Sequence, residues 1–231
     1  MVSKKKTPAT PVKNPVSIKI NKNGPYIVSG GVPLEEDIIV LDKDGMPYEW
    51  SVGKTFPVGE RYSLCRCGQS RNMPFCDGSH LHTDFDGTET AAKHPFSKEA
   101  KDIPGPGLDL KDAPGLCVHA GFCDRAFGIW TLVDNSDVPG AKSTAIEEAG
   151  NCPSGRLVVQ EKDGREIEPV FKPSIGLVID PDYDEIGPLW VRGYIPIQGS
   201  DGVQYETRNR VTLCRCGKST KKPFCDGSHQ E

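Results

Sequence analysis

The first regular hydrophobic pattern in the chain is an alternation of apolar and polar residues at the period of a β-strand. Residues 16–20 (VSIKI) place their apolar side chains on one face, which predicts a half-buried strand. A turn follows at 23–25 (NGP), and extended patterns restart at 26–28 and 38–41. The pattern therefore predicts a mostly β scaffold before residue 64.

The same pattern returns near the end of the chain. Residues 187–193 (GPLWVRG) echo 24–30 (GPYIVSG), and 194–197 echo 31–34. Because two stretches match in the same order, we expect a duplicated domain and not merely a duplicated motif.

Between the two repeats the pattern is mixed. Residues 142–149 predict a short helix, with Gly150 beyond its end and a Cys-Pro pair marking the stop. Residues 156–159 then predict a strand. Phe127 and Trp130 are interpreted as core residues of this segment.

The composition predicts small cores. Only 36% of the 231 residues are hydrophobic, while 25 are Gly and 20 are Pro, so turns should be frequent. Metal binding would then stabilise the folded domains where the burial of apolar side chains is insufficient. The nine cysteines are an odd number grouped in threes, which does not resemble a disulfide framework and favours a reducing compartment, the cytoplasm.

Charge is unevenly distributed along the chain. The net charge is −4, but residues 1–34 hold six Lys and no acid, so the remainder carries −10. Residues 1–14 are interpreted as a disordered basic tail. The overall balance gives no argument for nucleic-acid binding, and no apolar run is long enough to cross a membrane. We therefore expect neither as a partner.

Cysteine and histidine occur twice at the spacing C-x-C-x8-C-x3-H. The candidate ligands are Cys65, Cys67, Cys76 and His80 in the first loop, and Cys214, Cys216, Cys225 and His229 in the second. Three thiolates and one imidazole suit either tetrahedral zinc or an iron-sulfur cluster. Structural zinc sites usually separate paired cysteines by two to four residues, whereas one residue separates these pairs, so the spacing favours a [2Fe-2S] cluster over zinc.

Both loops resemble the motif of the CDGSH iron-sulfur domain family, to which mitoNEET belongs. The signature stands at 76–80 and again at 225–229. The resemblance implies one [2Fe-2S] cluster per motif, ligation by three cysteines and one histidine, and a role in electron transfer or cluster transfer. Members of this family commonly pair as twofold dimers that exchange strands in a β cap. Two copies in one chain therefore predict an internal pseudo-dimer that functions as a monomer.

Three further cysteines, Cys117, Cys123 and Cys152, lie between the repeats. Bacterial ferredoxins use a C-x2-C-x2-C run and a distant Cys-Pro. On that spacing Ala120 occupies the second position, so the insert resembles a ferredoxin-like mono-cluster domain that lacks one cysteine. Three thiolates suit a [3Fe-4S] cluster. A [4Fe-4S] cluster with an exogenous fourth ligand or His119 is the competing form, and buried structural thiols are the other alternative.

The resulting fold prediction is mainly β with short helices (α+β). It comprises two mitoNEET-like repeats of β cap and cluster-binding loop that form an intramolecular pseudo-dimer, with a small ferredoxin-like α+β insert. The predicted boundaries are a tail at 1–14, a first [2Fe-2S] domain at 15–87, the insert at 88–168, and a second [2Fe-2S] domain at 169–231.

The functional prediction is an iron-sulfur protein that acts in electron transfer or redox sensing. Cluster storage or delivery is the alternative, and a zinc-stapled interaction module is a third reading. The partner would be a redox protein or an apo cluster acceptor. No pair of nucleophile and base and no phosphate-binding loop is found, so an enzyme is not expected.

The residues close to the candidate ligands in sequence also have predicted roles. Arg66 and Arg215 either offset cluster charge or are solvated surface residues. Asp77 and Asp226 are interpreted as caps of a short helix that leads to each histidine. The two histidines without partners at ligand spacing are interpreted as surface residues: His82 and His94.

Overall fold

A computed structural model of the chain describes residues 14–181 and 187–230. The predicted basic tail lies outside these ranges except for its last residue. Within them, the strands form three sheets, and two α-helices accompany the third. In chain order the elements are β1 (Ser17–Ile20), β2 (Tyr26–Ser29), β3 (Leu34–Leu41), β4 (Pro47–Phe56), β5 (Arg61–Leu64), β6 (Lys101–Pro104), β7 (Asp109–Asp112), α1 (Ile129–Asp134), α2 (Pro139–Asn151), β8 (Leu157–Gln160), β9 (Glu166–Ile167), β10 (Ser174–Ile179), β11 (Leu189–Arg192), β12 (Ile197–Gln198) and β13 (Arg210–Leu213).

Two of the sheets are each built from both repeats. The first contains β1, β2 and β5 and adds β12 of the second repeat, which runs parallel to β1 with Ile197 opposite Ile18. The second contains β10, β11 and β13 and adds β3 and β4 of the first repeat, with Leu34 of β3 opposite Ile175. The first repeat thus contributes two strands to the sheet of the second, and the second contributes one strand to the sheet of the first. The mainly β fold and the internal pseudo-dimer are confirmed.

The sequence echo between the repeats corresponds to one backbone turn. Gly30 and Gly193 have φ values of +90° and +77°, and the residues that follow them, Gly31 and Tyr194, have φ values of +63° and +57°. A Cβ at Gly30 would lie 2.7 Å from the Cα of Val16, so this position needs glycine for space as well as for conformation. The turn directs β3 and β12 away from their own repeats and into the opposite sheets.

One apolar core lies between these two sheets. Ile18 and Leu34 of the first repeat pack in it with Ile175 and Leu189 of the second, and each is at most 1% exposed. Full burial of such a side chain contributes roughly 1.5–3 kcal/mol. The core joins the repeats more firmly than the strand pairing alone would.

The third sheet belongs to the insert. Its strands run antiparallel in the order β6-β7-β8-β9, and α1 and α2 pack on it over a separate core that includes Leu110, Ile129 and Ala149. The predicted strand at 156–159 is observed as β8. In the part of the chain that is described, neither helix is long and apolar enough to cross a membrane.

Helix α2 is longer than predicted. The prediction ended it before Gly150, but the helix continues through Gly150 to Asn151. Arg210 of β13 is 1% exposed, and its guanidinium donates to the carbonyl oxygens of Gly150 and Cys152 at 3.3 and 2.6 Å. In a helix that ends at a glycine cap, backbone N–H groups just beyond the helix bond the last carbonyl groups. Here the Arg210 side chain bonds them instead. A side chain that is distant in sequence therefore helps to set the end of the helix.

The prediction that Phe127 belongs to the core is wrong. Its side chain is 94% exposed, because Ala126, Phe127 and Gly128 all have positive φ and the chain turns outward there. Trp130 is half-buried against the insert core, as predicted, and its Nε1 donates to Asp112 at 3.1 Å.

Candidate metal centres

Each candidate loop begins where a strand of the cap ends. Strand β5 runs directly into Cys65, whose N–H donates to the carbonyl of Pro74 at 2.9 Å. The N–H of Cys76 donates to Ser63, also at 2.9 Å, so the third cysteine returns beside the first two. The second loop follows β13 and makes the same two bonds at 2.8 and 2.9 Å.

The four candidate ligands of each loop lie as two close pairs. In the first loop the sulfurs of Cys65 and Cys67 are 3.6 Å apart, and Cys76 Sγ lies 3.5 Å from His80 Nδ1. The corresponding pairs of the second loop are separated by 3.7 and 3.4 Å. Two sulfurs bound tetrahedrally at about 2.3 Å to one metal atom lie about 3.8 Å apart, so each cysteine pair fits a shared metal atom. Within 14–181 and 187–230, no three His, Cys, Asp or Glu side chains are grouped closely enough to hold one ion.

Asp77 and Asp226 hold the turn between the third cysteine and the histidine. Asp77 accepts hydrogen bonds from the N–H groups of Ser79 and Arg71, both at 2.9 Å, and these bonds hold its pKa well below the usual range. Asp226 makes equivalent bonds, which lower its pKa although burial opposes them. Both carboxylates are therefore charged at neutral pH and shape the loops.

Arg66 and Arg215 are buried between the paired cysteines. Their exposures are 2% and 5%, so the alternative of a solvated surface position is wrong. Arg66 donates to the carbonyls of Gly24 and Gly87 at 3.1 and 3.0 Å, and Arg215 donates to Gly187 at 3.0 Å. Burial lowers the pKa of Arg215 to about 10, which still leaves it charged at neutral pH. A buried cation thus accompanies the thiols of each loop.

Burial disfavours ionisation of at least one candidate thiol in each loop. It raises the pKa of Cys67 to about 11 and that of Cys225 to about 12. Metals bind the thiolate and not the thiol, so binding at these two cysteines must displace protons.

The three cysteines of the insert line one cavity of about 190 Å³. Cys123 stands in a short 3-10 helix at Phe122–Asp124, and Cys152 directly follows α2. His119 also lines this cavity, as does Ala120 at the position of the missing cysteine. The ferredoxin-like spacing therefore corresponds to three thiols around a common space.

Sequence reasoning missed a tyrosine that links the two repeats. The hydroxyl of Tyr26, in the first repeat, donates to the carbonyls of Cys214 and Pro223 in the second loop at 2.8 and 3.1 Å. Leu189 holds the equivalent position in the second repeat. The only signal was this mismatch within the echo, and it did not indicate a partner. His82 and His94, interpreted as surface residues, are exposed.

Two known families match this arrangement. Residues 23–81 and 186–230 match the iron-binding zinc finger of CDGSH type, and residues 103–162 match the divergent 4Fe-4S mono-cluster family. Searches of curated proteins and of solved structures found no significant match. The fold and the loops thus define an iron-sulfur protein. More particularly, the chain carries tandem CDGSH-type motifs that flank a divergent mono-cluster domain, which confirms the resemblance.

Proposed function

We propose that each loop binds one [2Fe-2S] cluster, that the insert binds one [3Fe-4S] or [4Fe-4S] cluster, and that the protein transfers electrons. The observation that carries the proposal is the pairing of the ligands. Cys65 and Cys67 would hold one iron, and Cys76 and His80 the other. The second loop has the same arrangement.

The surrounding residues support a redox role for these sites. A bound cluster supplies a one-electron redox centre. The neutral imidazole removes one negative charge relative to four thiolates, and Arg66 and Arg215 add buried positive charge. Both effects favour an added electron, so we expect potentials less negative than those of plant-type ferredoxins.

Iron and acid-labile sulfide analysis, together with EPR, tests the cluster assignment. We expect two [2Fe-2S] clusters that become EPR-active on reduction, plus one signal from the insert. An EPR signal in the oxidised protein identifies [3Fe-4S] in the insert, and a third signal that appears only on reduction, beside those of the two loops, identifies [4Fe-4S] there. A colourless protein with stoichiometric zinc would overturn the proposal in favour of a zinc-stapled module.

Substitution of the histidines tests the ligand assignment. His229→Cys should lower the potential of the second site, because a thiolate replaces a neutral ligand, and should make that site more resistant to acid. His80→Cys is the matched variant for the first site. Unchanged potentials would remove the histidines from the ligand set.

Cluster delivery is the second candidate function. It is favoured by the half-buried position of His80, which leaves one ligand of the first loop accessible. An apo ferredoxin mixed with the loaded protein would then acquire the visible chromophore. We further propose that the protein acts as a cytoplasmic monomer, because all nine cysteines are free thiols and the repeats already close on each other.

A further inference from the structure

The insert lies directly against the second loop. A Cβ added at Gly227 would lie 3.1 Å from the carbonyl oxygen of Cys117 and 3.2 Å from the ring of His119. His119 Nδ1 also lies 3.1 Å from Gln230 Oε1, one residue beyond the histidine ligand. The same segment of the insert, with Ala120, lines a small pocket beside His229. The cysteine cavity of the insert and the second loop are therefore neighbours.

Aromatic packing holds the insert in this position. Phe122, which is 1% exposed and follows the contact segment, packs on Trp50 of the cap with ring centroids 4.7 Å apart. Trp50 in turn packs on Trp190, and its Nε1 donates to the carbonyl of Asn151 at 3.2 Å. The contact between the insert and the second loop thus belongs to a larger packed interface.

The second loop also lies directly against the first. A Cβ added at Gly68 would lie 2.7 Å from the carbonyl oxygen of Cys216, and one added at Gly217 would lie 3.1 Å from that of Cys67. The two contacts are reciprocal, as the internal twofold requires. They bring the C-x-C segments of the two loops together.

At the first loop, the position that corresponds to the insert contact is open. No described atom lies within 4 Å of a Cβ built at Gly78, the counterpart of Gly227. His80 is half-buried, whereas His229 is 6% exposed.

We infer that the three centres form a linear relay in the order insert, second loop, first loop. This inference rests on the proposed function, since it assumes that all three sites are loaded. One electron from a one-electron donor protein enters at one end, passes through the second loop, and leaves at the other end to a one-electron acceptor protein. The donor is oxidised and the acceptor reduced by one electron, and no bond is formed or broken. The second loop is the internal centre, and the first loop is the end that faces solution.

Magnetic coupling in the loaded full-length protein tests this order. In partially reduced protein, the electron spin of the second site should relax faster when the insert or the first loop is also loaded than when that neighbouring centre is missing. In Cys214→Ser/Cys216→Ser, which lacks the second site, electron transfer from the insert to the first loop after rapid reduction should slow at least tenfold. In Cys65→Ser/Cys67→Ser, coupling between the insert and the second site should persist.

A pair of glycine variants keeps every ligand in place. Gly227→Ala pushes against the insert and should weaken the coupling between the insert and the second site. Gly78→Ala places the same methyl group on the same backbone conformation, φ +90°, where no described atom is close, and so controls for strain in the loop.

The outcomes separate the relay from the proposed function. Iron and sulfide contents below three centres overturn both. Two results would overturn the relay alone, provided that the unsubstituted protein contains all three centres. One is transfer from the insert to the first loop that is not slowed in Cys214→Ser/Cys216→Ser. The other is equal coupling between the insert and the second site in Gly227→Ala and Gly78→Ala.

Discussion

The two CDGSH-type loops share their candidate ligands and their geometry but differ in what surrounds them. Cys76 and His80 of the first loop are half-buried, whereas Cys225 and His229 of the second are 2% and 6% exposed. The difference arises because the insert covers one loop and not the other. Residues around a metal site control its solvent access and its affinity, so identical ligand sets need not behave alike.

The largest expected effect concerns Glu148, which lies in the insert that covers the second loop. It is fully buried, and among the residues that the structure describes both of its carboxylate oxygens are without hydrogen-bond partners. Burial raises the pKa of Glu148 to about 8. The folded state therefore keeps a proton that the unfolded chain releases above its ordinary pKa, and stability should fall as pH rises from about 4.5 to about 8, by about 3–5 kcal/mol.

Glu148→Gln should remove this pH dependence. Hydrogen exchange of α2, measured from pH 5 to 8, should accelerate with pH in the wild type more than in the variant. Glu147→Gln, at the exposed neighbouring position, is the control. Equal pH dependence in Glu148→Gln and wild type would contradict the assignment.

A second prediction concerns Arg66 of the first loop and the free energy of unfolding. Arg66→Ala removes a buried guanidinium that donates to three carbonyl groups, those of Asn21, Gly24 and Gly87. We expect a loss of roughly 3 kcal/mol in the free energy of unfolding, because buried acceptors are left unpaired. Denaturant unfolding measures it. Arg66→Lys keeps the charge but not the fork of donors, so a loss as small as that of a surface substitution would show that charge alone matters.

A third prediction concerns metal loss. With excess chelator, the first site should lose its iron about 10–100-fold faster than the second, because Cys76 and His80 are more accessible than Cys225 and His229. Cys214→Ser/Cys216→Ser keeps the first site and Cys65→Ser/Cys67→Ser keeps the second. Because both variants keep the insert, the difference between their rates of visible-absorbance loss compares the two loops. Equal rates would mean that the insert gives no protection.

The smallest effect isolates the insert contact itself. Gly78→Ala should cost roughly 1–2 kcal/mol through its left-handed backbone alone. Gly227→Ala should cost about 1 kcal/mol more, because its methyl group also meets Cys117 and His119. Thermal unfolding of both variants measures the difference. If the two losses are the same, the insert is not seated on the second loop in solution.

Much of the site could be predicted because its signals are local. The spacing of cysteine and histidine within each loop predicts the candidate sites, and the echo of 24–30 at 187–193 predicts the duplication. The long strand β4, the extension of α2 through Gly150 and the exposure of Phe127 were missed. Each depends on packing partners or backbone conformations that leave no periodic pattern.

The sequence by itself determined the spacing of the candidate ligands, the internal repeat and the mainly β class, since the spacing of cysteines in a loop and the alternation of a strand are properties of neighbouring residues. Only the tertiary structure decided that Arg66 and Arg215 are buried, that Tyr26 reaches across to the opposite loop, and that the insert covers His229 and not His80. Burial depends on which distant segments pack together. Two loops that are nearly the same in sequence therefore acquire different environments.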